Sequence, residues 1–535
     1  MSPWKPLYLC FLPVLLGIPS LSGQEAVRET GVAADFAAES AVDSIPADAA
    51  LYIIRGIEYH LTGRTQPWAL AYHTELREGE QLKGKAALDA YMARKTQALR
   101  NQRVLKEDTS RLEYTLGEAE EDGALPVYLR VYAEDTWNFI ILPEPKFDSN
   151  TGFSLTFKAR DYNLLGTMSP LKVDLGYEYG NRGLYSSDDD DKKRLFLSID
   201  SDVPFQALGY RWNINFDNDF AYIIDDSVFS YTNTTGISVE LPFRATVFTL
   251  GFDQSFLVNP ENEDDEWEAT GASYFSDLWH MASELYAQWK IPTGVELGSF
   301  GELTYTPRLA GLWKYRPNGE IGEYRRGPTA KAGHTLGFSR IDWLGNYRRG
   351  FDVSLGNDNE YNLSRQIWNN SIDLTAIAHL PITEWFGISA RFKTQVWFND
   401  TYTTAGELIR GRRDKALHAD HLIAVNLELP FRVFRFVPSE WSGKPKLHTI
   451  DFELYLAPFL DMVMVKDPSP EHPHDFTPGD ILVAAGIEAM IFPLRWRSFY
   501  MRFSAGWNLR KKEEPLNQSR VNDDREFFIG VGHFF

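Results

Sequence analysis

From about residue 137 to the end of the chain, apolar and polar residues alternate with a period of two, the rhythm of a strand with two unlike faces. In "FYMRFSAGWNL" (499–509), Phe499, Met501, Phe503, Ala505, Trp507 and Leu509 share one face; Tyr500, Arg502, Ser504, Gly506 and Asn508 share the other. In "ILVAAGIEAMIF" (481–492) the apolar face runs Ile481, Val483, Ala485, Ile487, Ala489 and Ile491, with Gly486 and Glu488 opposite. The closing "EFFIGVGHFF" sets Phe527, Ile529, Val531, His533 and Phe535 on one face and Gly530 and Gly532 on the other. Such segments are about ten residues long, the length of a tilted strand crossing a bilayer. Long polar stretches separate them, for example "GLYSSDDDDKKR" (183–194) and "NPENEDDEWEATG" (259–271). Long acidic loops, short turns and a terminal Phe on an amphipathic strand predict a mainly β protein, an antiparallel transmembrane β-barrel over 137–535. A periplasmic or secreted β protein is the rival reading.

The rhythm before residue 137 is different. "LYIIRGIEY" (51–59) reads as a strand, and Thr65 with Pro67 opens a helix in "TQPWALAYHTEL". A second helix, roughly 82–101, sets Leu88, Met92, Lys95 and Leu99 three or four residues apart. "SRLEYTLGE" and "LPVYLRVYAED" then give two strands, so 49–136 is a small α+β domain of order β-α-α-β-β. Residues 24–48 are rich in Ala and acidic residues and read as a tether. Residues 1–23 carry Lys5, the apolar run "LYLCFLPVLLGIPSL" and the small residues Ser22 and Gly23, the form of a secretory signal peptide. The single cysteine, Cys10, lies within it, which leaves the mature chain without a disulfide.

Composition narrows the partners. Aromatic residues make up 14% of the chain and the formal net charge is −20. Nothing supplies the extended cationic surface that nucleic acid requires. Against that acidity, "GELIRGRRDK" (406–415) concentrates Arg410, Arg412, Arg413 and Lys415. Five strand-like segments follow it: 421–431, 449–465, 481–492, 499–509 and 527–535. In the first, Ile423, Val425, Leu427 and Leu429 face lipid, so Glu428 points into the lumen. In the second, Ile450, Phe452, Leu454, Leu456 and Leu460 face lipid, which turns Asp451, Glu453 and Asp461 inward. A loop around 406–420 folded into the lumen can set Arg410 against two carboxylates, and Gly411 allows a sharp turn.

"LIRGRRDKALHADHLIAVNLELPF" resembles the inward-folded loop and following strand of the BamA/TamA family of outer-membrane assembly proteins. Ile409, Arg410 and Gly411 match the family's apolar-Arg-Gly-aromatic signature, while Arg412 stands in the aromatic position. "LAPFLDMVMV" is similar to the family's next strand with its inward Asp, so the resemblance implies Glu428 and Asp461 as partners of Arg410. Upstream, "FDSNTGFSLTFKARDYNLLGT" (147–167) resembles the first barrel hairpin and its Asp-x-Asn-Leu-Leu-Gly segment. The domain at 49–136 has the order of a POTRA module, which in the family binds polypeptide. The resemblance implies sixteen strands, eleven of them before the loop, where the pattern offers eleven to thirteen candidates. A second Arg-Gly-aromatic triplet, Arg349-Gly350-Phe351, is followed by too many strands and by no Leu-Glu strand at the right distance.

Covalent chemistry finds little support. "PEHPHD" (470–475) gathers His472, His474, Glu471 and Asp475, but its loop setting and Pro473 favour an adventitious site over a functional metal. "SSDDDDKK" (186–193) reads as a solvated loop. No nucleophile–base pair or phosphate-binding glycine loop is present, so neither an enzyme nor a cofactor is expected. The resemblance implies a factor that inserts or translocates unfolded polypeptides at the outer membrane. Its small domain would be periplasmic, with outer-membrane lipids or lipopolysaccharide and accessory lipoproteins as further partners. Its seam would join Phe139, Ile141 and Phe147 on the first strand to Phe527, Ile529, Gly530, Val531, Gly532 and Phe535 on the last; the glycines reduce packing there, and Pro143 and Pro145 each remove a backbone donor. The rivals are a two-partner-secretion pore for one client and a passive channel or surface antigen.

Overall fold

The computed structural model describes residues 50–121, 123–148, 152–180, 192–225, 227–258, 279–319, 321–322, 327–398, 403–411, 418–466, 476–509 and 525–531. The expected signal peptide with Cys10, the expected tether, Arg412, Gly532, Phe535, the stretch at 259–271, most of that at 183–194 and the "PEHPHD" stretch lie outside the described residues.

The N-terminal domain is a four-stranded sheet with two helices on it. Its strands are β1 (Leu51–Thr62), β2 (Gln81–Lys83), β3 (Arg111–Leu116) and β4 (Leu125–Glu134), in spatial order β2-β1-β4-β3. The central β1 and β4 are parallel, and β2 and β3 are antiparallel edges. The helices, Pro67–Thr74 and Lys85–Asn101, flank β2, so the order is β-α-β-α-β-β. The extra strand takes Gln81–Lys83 out of the start of the second helix, because three residues there pair with Leu51–Ile53 before Gly84 turns the chain. Ile54, Leu70, Leu88, Leu99, Leu105 and Leu129 make its buried core. Thr65 does not cap the first helix; Gln66 holds that position, and the Thr65 hydroxyl donates to Asp135. At the helix's other end the Lys95 ammonium donates to the carbonyls of Thr74 and Glu75, 3.0 and 2.6 Å away. A cation there satisfies carbonyls that the helix itself leaves open, although burial lowers the pKa of Lys95.

The remainder closes into one antiparallel barrel of nineteen strands among the described residues, from Phe139–Asp148 to Arg525–Val531, which neighbour each other. His421–Glu428 and Phe431–Phe436 share one place in the wall: both pair with the Phe386–Phe398 strand and with the Phe452–Lys466 strand. The ladder is interrupted between them, at a proline that has no N–H to give (Pro430). Eighteen places result, where the resemblance implies sixteen. Five follow the 405–411 loop, as the pattern expects, but thirteen precede it. The excess comes from segments such as Tyr210–Ile223, Val228–Phe243 and Thr246–Val258, which are all continuous members of the wall. Alternation identifies a strand but cannot say whether it belongs to the wall or to a loop hairpin.

The barrel's outside is apolar. Phe157, Leu175, Leu195, Phe216, Leu285, Leu309, Leu355 and Ile487 are all exposed. A continuous outer band of this kind requires hydrocarbon around it, and closure leaves no unpaired backbone edge within it. Among the described residues no helix is long and apolar enough to cross a membrane.

The small domain is fastened to the end of the barrel that carries the short turns. Arg64 forks onto Asp161 at 3.0 and 2.9 Å, and the Gln66 amide donates to the Gly166 carbonyl at 2.9 Å. Buried Asn163 donates to Thr65 (2.8 Å) and Asp135 (3.1 Å). Gly166 has φ +77, and a Cβ there would lie 1.9 Å from the Arg64 carbonyl oxygen. The Asp-x-Asn-Leu-Leu-Gly segment is therefore a clasp between domain and barrel. Three other regions of this end also engage the domain. Arg211 stacks on Tyr72 at 3.6 Å; Asn101 donates to Asp342 and accepts from the Trp343 amide, both at 2.9 Å; Arg497 donates to the Leu105 carbonyl at 2.8 Å.

Asn163→Leu removes a donor from buried Thr65 and from part-buried Asp135 and is expected to weaken the clasp by on the order of 2 kcal/mol. Hydrogen exchange at Arg64–Gln66 is expected to rise while the barrel keeps its heat-modifiable mobility on gels; unchanged exchange would count against the clasp.

Candidate lumen site and barrel seam

The loop before the fifth strand from the end folds into the lumen because it carries its own apolar foot. Leu408 and Ile409 are buried against Leu422, Ala424, Val463, Val465, Leu482 and Ala484. Those six belong to the lumen faces of three neighbouring strands, where a water-filled barrel would carry polar residues. A two-residue ribbon, Thr403–Thr404 with His418–Ala419, draws the two limbs of the loop together.

This foot delivers Arg410 into a buried nest of carboxylates. Its Nε and Nη2 donate to the two Asp461 oxygens, each at 2.9 Å, the two-point contact a planar guanidinium makes best. Its Nη1 donates to Glu428 at 2.5 Å and to Glu488 at 3.3 Å. The Arg410 amide adds a third bond to Asp461, at 2.9 Å, and the guanidinium lies 3.8 Å from the centre of the Phe459 ring. Asn426 completes the nest by donating to the Leu408 carbonyl and to Asp461, both at 2.8 Å. Arg410 is 4% exposed and Asp461 0%, so charges that would each be costly alone are held together out of water.

Gly411 carries the contact on to the last two strands. Its amide donates to Glu526 at 2.7 Å. At φ +85, a Cβ on Gly411 would lie 2.6 Å from the Trp507 backbone nitrogen, and one on Gly506 would lie 2.7 Å from Gly411. The two glycines are required by each other, since the loop meets the wall there backbone to backbone. One loop thus touches all five strands that follow it.

The structure brings Arg410, Glu428 and Asp461 together and buries Ile409 and Gly411 beside them. Arg349 lies elsewhere, on the wall just after the Gly345–Asn346 turn, exposed and 3.7 Å from Asp342. Glu488, Asn426 and Glu526 were missed as partners, though each was legible by parity: each alternates with lipid-facing neighbours, as Glu428 and Asp461 do. At the seam, Phe139, Ile141, Phe527 and Ile529 point outward and are exposed. Phe147 and Val531 lie in the backbone of the two closing strands. On the lumen side a Cβ at Gly530 would lie 3.3 Å from Glu144, which pairs with Lys158 at 2.9 Å. Among the described residues no cluster of His, Cys, Asp and Glu is arranged to hold a metal.

No protein-family model and no curated protein matches the sequence. Among solved structures, the chain is similar to CdiB from Acinetobacter baumannii, with TM-score 0.42 and 13% identity over 90% of this chain and 74% of that one. It is similar to BamA from Haemophilus ducreyi lacking POTRA domains 1–3, with TM-score 0.36 and 12% identity over 90% and 84%. It is also similar to CdiB from Escherichia coli, with TM-score 0.37 and 10% identity over 92% of each chain.

Arg410→Glu leaves buried carboxylates without a counter-charge, a loss of roughly 3–5 kcal/mol. Assembled, heat-modifiable barrel is expected to fall sharply, and Asp461→Lys or Glu428→Lys in the same chain to restore part of it. A silent Arg410→Glu beside a damaging Arg349→Glu would move the site to the other triplet.

Proposed function

We propose that this chain is an outer-membrane protein of the BamA/TamA type that inserts or translocates other polypeptides, with its small domain in the periplasm and without covalent catalysis. The observation that carries this reading is the Arg410 knot. From one loop it braces every strand between itself and the seam, ending at Glu526 on the strand that closes the barrel. A wall held from inside up to its last strand keeps that strand in place when its partner, Phe139–Asp148, lets go. The opened edge then presents backbone donors and acceptors to a client strand at membrane depth. Glycine at 530 and prolines at 143 and 145 favour opening there rather than elsewhere.

The small domain supports the same reading. Its β3 is an edge strand, paired among the described residues on one side only, to β4, and an extended client segment can add to such an edge through main-chain hydrogen bonds. Its fastening to four regions of the short-turn end keeps the domain at that end of the barrel. Eighteen places give a barrel wide enough for an aqueous lumen.

Photo-crosslinkers at Ile141 and Ile529 are expected to capture newly made barrel proteins in cells, and those at Leu285 and Leu309 on the far wall are not. Depletion is expected to lower several outer-membrane proteins together. Loss of one secreted client alone would favour a dedicated secretion pore; ion conductance with unchanged outer-membrane proteins would favour a passive channel.

A further inference from the structure

Several connections at the short-turn end are two residues long, at 208–209, 244–245, 345–346 and 384–385. The one between Phe436 and Phe452 is fifteen, and it is built rather than slack. It contains a short helix, Pro438–Ser442, and a 3-10 turn, Pro445–Ile450. Asp451, 2% exposed, fastens it from below by accepting from the Ser439 amide at 3.2 Å, from the Ser439 hydroxyl and from His448 at 2.8 Å. Burial opposes ionisation of Asp451, but these donors hold its pKa below the ordinary carboxylate value.

What this connector holds out is an aromatic rim. Phe436 packs on Phe452 at 5.4 Å and meets Trp441 edge-on at 5.3 Å, while Phe434 lies 6.2 Å from Phe452. These side chains continue the lipid-facing side of their strands, because Phe434 pairs with Leu454 and Phe436 with Phe452. Beside them Ile450 is 51% exposed and Trp441 63%. Charge on the connector is sorted in one direction. Glu440 is paired with Arg435 and Asp451 with His448, whereas exposed Lys444 and Lys446 form no ion pair among the described residues. In a chain of net charge −20, two uncompensated lysines stand just beyond an apolar rim.

We infer that the 434–452 rim docks an anionic phospholipid of the membrane leaflet at the short-turn end, its acyl chains against Phe434, Phe452 and Ile450 and its phosphate at Lys444 and Lys446. The inference rests on the reading of the barrel as membrane-spanning. Trp441 takes the interfacial level, where an amphipathic ring is most favourable. The site grips the same two-strand unit that carries Glu428 and Asp461, so the lipid steadies from outside the strands that the Arg410 knot braces from within.

The test uses the full chain with a Ser442→Cys substitution carrying a fluorophore, reconstituted in phosphatidylcholine–phosphatidylglycerol vesicles in which one lipid or the other is brominated. Brominated phosphatidylglycerol is expected to quench the label about fivefold more than brominated phosphatidylcholine at equal fraction, a bias smaller than two lysines beside anionic lipid can supply. Lys444→Ser with Lys446→Ser is expected to abolish that bias while heat-modifiable barrel is retained, and free glycerol phosphate is expected not to compete. Equal quenching by both lipids would refute the anionic site. No quenching at 442 beside strong quenching of a label at Ile487 would refute docking while leaving the membrane reading intact. No quenching at either position would overturn the membrane reading itself, and the inference with it.

Discussion

A backbone N–H or C=O cannot be left without a partner in hydrocarbon, and every large feature of this molecule answers that constraint. Strands whose outer faces carry Phe157, Leu195, Phe216 and Leu309 can sit in lipid only if each edge is paired, so the sheet closes on itself. Closure creates an interior, and the interior is where carboxylates, guanidinium groups and an inserted loop become affordable. It also creates one junction between residues far apart in the chain, the pairing of the first strand with the last. That junction is the place where the constraint is met least locally.

The lumen loop is the counterpart of that junction. Arg410 buried alone would be untenable; buried with Asp461, Glu428 and Glu488 it forms a multi-strand tie. Such a tie contributes less to net stability than its charge count suggests, because desolvation offsets much of the attraction. What it contributes is geometry. A guanidinium with its donors on three carboxylates, and an amide beside it on Glu526, permits one arrangement of the strands that supply them. The apolar foot under Leu408 and Ile409 excludes water and makes that arrangement persist.

The small domain and the connector at 437–451 occupy the same end of the barrel and are held by different means. The domain is clasped through Asp161, Asn163 and Gly166, residues whose motif in the sequence resembles the segment following the first barrel hairpin and which form the joint to the domain. The connector is fastened by one buried carboxylate, Asp451. Both place short-range polar contacts where strands turn, outside the apolar band, where water and headgroups make such contacts cheap to form and to break.

Period-two alternation, with segments about ten residues long, long acidic loops and short turns, marked this chain in its sequence as a barrel with a lipid-facing outside, because each strand records its own two faces in neighbouring residues. The same parity turned Glu428 and Asp461 inward, and with a conspicuous Arg-Gly pair it made a lumen contact foreseeable. Tertiary structure decided what no local pattern contains. It set the number of wall strands at eighteen places, since a hairpin in a loop and a hairpin in the wall alternate alike. It supplied the apolar foot beneath Arg410 that the far strands receive, on the triplet the strand count already favoured over Arg349. It joined Glu488 and Glu526 to the nest, and it made Gly411 and Gly506 mutually necessary, because two backbones separated by about a hundred residues meet there with no room for a side chain.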